Sequence, residues 1–168
     1  DPTVANDPDL GWYKADAPIP FFQDDARNAF KGTVWELSNP AIDRGFAGGN
    51  GEEREAAMRG LANDYFEEPT PNHGINYLDI HDNWALADQF SDVDWDGSRH
   101  VDEGRFKIAA TLLFTSLGPI VLHGGTEMMR SKGHSPLEEI EKQVASGTIY
   151  IHGKRDTYNL RKANAFLW

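Results

Sequence analysis

The chain has 168 residues, a formal net charge of −11 and no cysteine. Its length allows one domain with its own core, and its 39% hydrophobic and 26% charged residues are typical of a globular protein. The negative charge argues against nonspecific binding to nucleic acid or anionic membranes, and no apolar run approaches the roughly 20 residues of a membrane span. The lack of cysteine excludes disulfides and thiolate metal sites but leaves the compartment open.

The first elements follow an opening loop. Residues 1–17 are rich in Asp and Pro and predict irregular structure. PIPFF, residues 18–22, predicts a short strand, and the QDDARNAFKG run that follows it predicts a short helix closed by Gly32. NPAIDRGFAGGNG, residues 39–51, predicts a Gly-rich loop.

The middle of the chain predicts a strand with one helix before it and one helix after it. Residues 52–66 predict a helix, because apolar side chains recur at helical spacing, namely Ala57, Met58, Leu61 and Tyr65. INYLDI, residues 75–80, predicts a buried strand, and an acidic loop follows it. Residues 104–117 predict the clearest amphipathic helix, with one apolar stripe made of Phe106, Ala109, Ala110, Leu113 and Leu117.

The last third predicts a strand, a helix and a strand. GPIVLHGG, residues 118–125, predicts a brief buried strand between glycines. The Ser135–Glu138 pattern is a capping box with Pro at the first helical position, so residues 136–145 predict a helix. GTIYIHG, residues 147–153, alternates like a small exposed strand.

Strands that alternate with helices favour a parallel sheet, in which sites lie beyond the carboxyl ends of the strands. Three predicted strands end in polar clusters, namely Gln23-Asp24-Asp25, His81-Asp82-Asn83, and His123 followed by Glu127. We expect these three strand ends to converge on one site.

Three segments carry a family resemblance. INYLDIHDNWALAD (75–88) resembles the seventh-strand region of the α-amylase superfamily, glycoside hydrolase family 13, especially the pullulanase and debranching branch with its N-Y-x-x-x-H-D-N-x-x-L-x-D pattern. LLFTSLGPIVLHGGTEMMRSKG (112–133) is similar to the helix, eighth strand and following loop of these enzymes. FFQDDARNAFKG (21–32) resembles their sixth strand. The resemblance implies an α/β fold, as strands six to eight of a TIM (β/α)8 barrel with their helices.

In this reading, residues 1–168 are the carboxy-terminal portion of a catalytic barrel, with a loop at 1–17, the three strands within 18–133, and a loop and helix at 134–168. The family's nucleophilic Asp and acid/base Glu would precede residue 18, where no similar motif occurs. A retaining glycosidase needs both carboxyl groups, so we expect this chain alone to be inactive.

The resemblance implies site roles. Asp82 matches the carboxylate that stabilises the oxocarbenium-like transition state, and His81 matches a histidine that binds the same sugar ring. Asn83, Trp84 and His123 complete the predicted substrate-binding set, with Trp84 expected to stack on a sugar face. For His123 we favour structural support near the site over direct sugar contact. The alternative role for Asp82 is a turn or helix cap.

Positions after the eighth-strand segment are less regular. Glu127 and Arg130 match the family's acidic residue and R-S-K run, where an Arg–carboxylate pair bracing the barrel rim is as plausible as substrate binding. Thr126 stands where the family often has an acidic residue, and about twenty extra residues follow at 133–153. The preferred glycosidic bond is therefore left open.

The acidic loop fits the twelve-residue calcium pattern D-x-D-x-D-G-x5-E. Its predicted metal ligands are Asp92, Asp94, Asp96, Ser98 and Glu103. The alternative is a solvated acidic loop in which Asp102 or Glu103 caps the following helix.

The function predicted from the resemblance is part of a retaining α-glucan hydrolase acting on starch, glycogen or pullulan at α-1,6 or α-1,4 bonds. The partners are an α-glucan and the remaining barrel half, with no organic cofactor and Ca²⁺ as the only candidate ion. A secreted or cell-surface location is favoured over the cytoplasm. The alternatives are a branching or transglycosylating enzyme of the same superfamily, or a non-catalytic calcium- or glycan-binding module.

Overall fold

The computed structural model describes residues 20–34, 43–64, 74–91, 101–132, 141–144, 147–150, 161 and 164–165. Within these ranges, a parallel sheet has the strand order β1–β2–β3, with β1 at Phe21–Phe22, β2 at Gly74–Tyr77 and β3 at Ile120–Val121. The segments between the strands contain the helices α1 (Asp24–Lys31), α2 (Arg54–Ala62), α3 (Leu86–Gln89) and α4 (Glu103–Thr115). Parallel strands with intervening helices confirm the predicted α/β class.

The central strand β2 is paired on both sides. Its register matches Gly74 to Phe21 and Ile75 to Phe22 in β1, and Asn76 to Ile120 and Tyr77 to Val121 in β3. Since all three strands run the same way, the residues that follow them emerge at one edge of the sheet. We call this the carboxyl edge.

The core lies where α1 packs against α2, α4 and β2. Its buried apolar side chains include Ala26, Phe30, Leu78, Leu86, Phe90, Phe106, Ala109 and Leu113. A Cβ atom at Gly60 would lie 2.9 Å from the Phe30 ring, so the lack of a side chain there allows α1 and α2 to approach closely. None of the described helices is both long and apolar enough to cross a bilayer.

Two predicted apolar stripes need correction. Helix α2 ends at Ala62, where Asn63 adopts the left-handed conformation with φ 54°, and it buries Ala57 and Gly60 while Met58 is exposed. Helix α4 buries Phe106, Ala109 and Leu113 as predicted, but Leu117 lies beyond the helix end and is exposed. Both predictions assumed a longer helix than the chain forms.

The strand at 120–121 was predicted correctly, but its predicted burial is wrong. Ile120 and Val121 are 38% and 36% exposed, because β3 is an edge strand that pairs only with β2 in the described sheet. An edge strand of this kind exposes backbone groups as well as side chains.

The predicted helix at 136–145 is also wrong. Residues Glu141–Val144 form strand β4, which pairs antiparallel with the correctly predicted strand β5 at Gly147–Tyr150. Pairing with a neighbouring strand satisfies the backbone groups that a helix would have satisfied internally. The predicted loop at 1–17, Tyr65 and the capping box at Ser135–Glu138 lie outside the described residues.

Candidate functional site

The His81–Asp82 pair lies at the carboxyl edge, shortly after β2 ends at Tyr77. The side chains of His81 and Asp82 are 64% and 43% exposed, and His81 Nε2 lies 3.5 Å from Asp82 Oδ1. An imidazole and a carboxylate that both face solvent can exchange hydrogen bonds with hydroxyl groups of a ligand. The pair is therefore accessible to a ligand that carries hydroxyl groups.

The chain bends at Asn83 and then enters the core. Asn83 is left-handed with φ 56°, and it is followed by an uninterrupted run of buried residues at 84–91. Trp84 is only 4% exposed, so its ring offers no open face to a sugar in this structure. The expectation that Trp84 stacks on a sugar does not fit this position.

Lys132 lies beneath the His81–Asn83 turn and has no role predicted from the sequence. Its Nζ donates hydrogen bonds to the Asn83 carbonyl oxygen at 2.7 Å and to the His81 carbonyl oxygen. Burial, and next the nearby Arg130 cation, lower the pKa of Lys132 to about 8, against the raising effect of Asp88 and other carboxylates. The R-S-K match was the signal that could have identified it.

Asp88, in the segment after β2, binds Ser131 and Lys132 in the segment after β3. This fully buried carboxylate accepts hydrogen bonds from Ser131 Oγ and from the Lys132 backbone N–H at 2.9 Å. Asp88 is the last position of the N-Y-x-x-x-H-D-N-x-x-L-x-D pattern. Its role here is to connect the segments that follow β2 and β3.

Asp79 makes a second connection between the same segments. Its Oδ1 accepts a hydrogen bond from the Thr126 hydroxyl at 2.9 Å, and its Oδ2 accepts one from the Leu86 backbone N–H at 2.9 Å. Asp79 and Thr126 are both buried. Thr126, at a position where the resemblance implied an acidic residue, thus holds a buried carboxylate instead.

The segment after β1 joins through Tyr77. The Tyr77 hydroxyl donates to Asp24 Oδ1 at 2.6 Å and accepts a hydrogen bond from Arg27, which also lies 3.2 Å from the Asp24 carboxylate. Burial, and next the hydrogen bond to Asp24, raise the pKa of Tyr77. The start of α1 therefore lies beside the end of β2. Convergence of all three polar clusters on one site stays a prediction.

His123 and Arg130 form a polar pair after β3. Arg130 Nη2 lies 3.0 Å from His123 Nδ1, and burial is the main cause of a lowered pKa for His123, with the Arg130 cation acting in the same direction. Glu127 accepts a hydrogen bond from the Gly125 N–H at 3.0 Å, and Arg130 contacts His123 instead of Glu127, so the Arg–carboxylate pair that was one of the two predicted roles does not form. This geometry suits the supporting role favoured for His123.

Most of the predicted calcium loop lies outside the described residues, including Asp92, Asp94, Asp96 and Ser98. Glu103 is described, and its carboxylate lies 3.0 Å from Lys107 Nζ. Asp102 caps α4 by accepting a hydrogen bond from the Arg105 N–H at 3.0 Å, as the capping alternative predicted. Across the described ranges, no group of three or more His, Asp or Glu side chains could hold a metal ion. Calcium binding stays a prediction.

Comparison with known proteins identifies pullulanases. No family model matches the chain. Pullulanase from Bacillus subtilis (strain 168) is 33% identical over 120 residues, which cover 68% of this chain and 16% of that protein. The pullulanase structure from Bacillus acidopullulyticus is 30% identical with a TM-score of 0.53, covering 70% of this chain and 14% of that one.

A further structure supports the fold. The Group B Streptococcus pullulanase SAP has a TM-score of 0.69 and 22% identity, and the match covers 94% of this chain and 22% of that one. The chain thus spans between a seventh and a quarter of the length of these proteins. Together, the similarities relate it to the pullulanases, and so to glycoside hydrolases.

Proposed function

We propose that this chain is the part of a pullulanase-like catalytic barrel that contains strands six to eight, and that it contributes Asp82 and His81 to the hydrolysis of α-glucan. In this proposal β1, β2 and β3 correspond to those three strands. The observation that carries it is the exposed His81–Asp82 pair at the carboxyl edge of a parallel sheet, the edge where barrel enzymes bind substrate.

The proposed chemistry uses Asp82 as a stabilising carboxylate. Charge-assisted hydrogen bonds from sugar hydroxyls to Asp82 would strengthen as the ring flattens towards an oxocarbenium-like state, and such strengthening accelerates the reaction. His81 would bind the same ring from the adjacent position. The nucleophile and the acid/base would come from the remaining barrel half.

The exposed edge of the sheet supports a requirement for that remaining half. Ile120, Val121 and Leu122 are all exposed along β3 and just beyond it, and Phe22 is exposed at the end of β1. Apolar side chains on strands that have one unpaired edge suit coverage by further strands. We therefore propose the rest of a (β/α)8 barrel as the protein partner.

A hybrid enzyme tests the proposal. Residues 20–132 of this chain would replace the matching segment of the Bacillus subtilis pullulanase, and release of reducing sugar from pullulan would be measured. We expect hydrolysis by the hybrid and a loss on the order of 10²- to 10³-fold in kcat with Asp82→Asn. Glu55→Gln, which alters an exposed acidic residue of α2, is the matched control and should leave kcat unchanged.

Product analysis of the same hybrid separates the alternatives. Shorter linear oligosaccharides indicate hydrolysis, whereas new branch points or longer chains indicate glucan transfer. Full activity of the Asp82→Asn hybrid would remove the proposed role of Asp82. Binding of maltotetraose by the 168-residue chain alone, together with no turnover by the folded hybrid, would favour the non-catalytic glycan-binding module.

A further inference from the structure

We propose that Lys132 is a positioning residue for the candidate sugar site, because its ammonium group holds the two peptide carbonyls that flank Asp82 and so sets the direction of the Asp82 carboxylate. The carbonyl oxygens of His81 and Asn83 both accept from this one nitrogen, on either side of Asp82 in the chain. The catalytic meaning of this contact rests on the proposed function. The contact itself does not.

The His81–Asn83 turn has little support of its own. It forms a bend without helix or strand structure, and Asn83 adopts a left-handed conformation, which Asn tolerates better than most residues other than glycine. The side chains of His81 and Asp82 extend into solvent, so they do not anchor the turn by burial. The two bonds from Lys132 therefore fix the backbone from its buried side.

Lys132 is itself held in place. Its side chain is fully buried, and its backbone N–H donates to Asp88, which is also fully buried and also binds Ser131 Oγ. Burial of an ammonium is costly unless strong acceptors surround it, and two peptide carbonyls meet that need. Among the described residues, the titratable groups that act on Lys132, or on which it acts, include Asp79, Asp82, Asp88, Arg130, Lys31 and His123.

The first test uses the unaltered chain. NMR would follow the Lys132 Cε resonance and the carbonyl ¹³C resonances of His81 and Asn83 from pH 6.5 to 9.5. Because the pKa of Lys132 is lowered to about 8, we expect all three resonances to shift with one shared midpoint near that pH. Carbonyl resonances that do not shift with the Lys132 midpoint would overturn the proposal.

The second test uses chemical rescue, which is practical because the chain has no other cysteine. Lys132→Cys would be alkylated with 2-bromoethylamine in denaturant and refolded, which restores an ammonium on a side chain of nearly the same length. We expect Lys132→Met and unmodified Lys132→Cys to shift the amide resonances of His81, Asp82 and Asn83, and aminoethylation to restore them. Lys107→Met, at an exposed lysine, is the matched control.

The outcomes separate this inference from the proposed function. A folded Lys132→Met chain with unchanged His81–Asn83 resonances contradicts the positioning role, whether or not the chain binds glucan. If the His81–Asn83 resonances depend on Lys132 but the hybrid fails to hydrolyse pullulan, the two results have different consequences. The first supports the positioning role, and the second counts against the proposed function. If the variants at 132 do not fold, the pH titration of the unaltered chain decides.

Discussion

The Thr126 hydroxyl lies 2.9 and 3.1 Å from the two carboxylate oxygens of Asp79, and this contact joins residues 47 positions apart in the sequence. Both residues are buried, so neither side chain can exchange this contact for water without opening the structure. The relationship connects the ends of β2 and β3 at the edge where the candidate site lies.

Thr126→Val should destabilise the chain by about 1–3 kcal/mol, because it leaves a buried carboxylate with one partner fewer. Urea unfolding followed by circular dichroism would measure the loss. Thr111→Val is the matched control, since the Thr111 hydroxyl lies on the exposed face of α4, and it should change the free energy of unfolding by less than about 0.5 kcal/mol. Equal effects of the two substitutions would contradict the assigned contact.

The free energy of unfolding should rise with pH above neutrality because of Lys31. Burial, and next the Arg27 cation, lower the pKa of Lys31 from 10.5 to about 7, although its Nζ donates to Gln89 Oε1 at 2.6 Å. Between those two values the unfolded chain binds more protons than the folded chain, so each pH unit adds at most about 1.4 kcal/mol of stability per group. Lys132, with its pKa lowered to about 8, acts in the same direction.

Urea unfolding at pH 6.5, 7.5, 8.0 and 8.5 would measure this slope, well below the pKa of about 10 at which Tyr side chains of the unfolded chain ionise. Lys31→Met should reduce the slope, most clearly between about pH 7 and 8, where Lys31 titrates before Lys132. Lys107→Met, at an exposed lysine, should leave the slope as it is. A flat or falling stability of the unaltered chain over this range would contradict a buried, neutralised Lys31.

Gly60→Ala should destabilise the contact between α1 and α2. The added Cβ would lie 2.9 Å from two atoms of the Phe30 ring and 3.0 Å from the Ala26 Cβ, and Phe30 is fully buried. Overpacking of this kind costs about 1–3 kcal/mol. Gly51→Ala is the control because no atom lies within 4 Å of its added Cβ, and a thermal melt should show a clear decrease in Tm for Gly60→Ala only.

Calcium binding by the loop that begins at Asp92 stays a prediction with a direct test. Isothermal titration with Ca²⁺ should release or absorb heat, and Ca²⁺ should raise Tm, because an ion that binds only the folded state stabilises it. Asp94→Asn combined with Asp96→Asn should abolish both effects. A titration of the unaltered chain without heat and without a change in Tm would leave the solvated acidic loop as the better description.

Much of the fold could be predicted because it depends on local patterns. The helix at Asp24–Lys31 begins with acidic residues and ends at Gly32, and helix α4 follows its apolar spacing from Phe106 to Leu113. Capping and periodicity act within a few residues, so the local sequence contains the information needed to predict these helices. The predicted helix at 136–145 failed because pairing of β4 with β5 overrode a local capping pattern.

The parallel direction of the strands and the location of His81 and Asp82 after a strand could be predicted from the sequence, since strands that alternate with helices favour a parallel sheet. The strand order β1–β2–β3 came from the structure. The burial of Trp84 and the contacts of Asp88 and Lys132 required the tertiary structure. These contacts join residues more than 40 positions apart, and no local pattern specifies which distant carbonyl a buried ammonium will reach. Local physics thus determined where the polar groups stand along the chain, and long-range packing decided which of them face solvent.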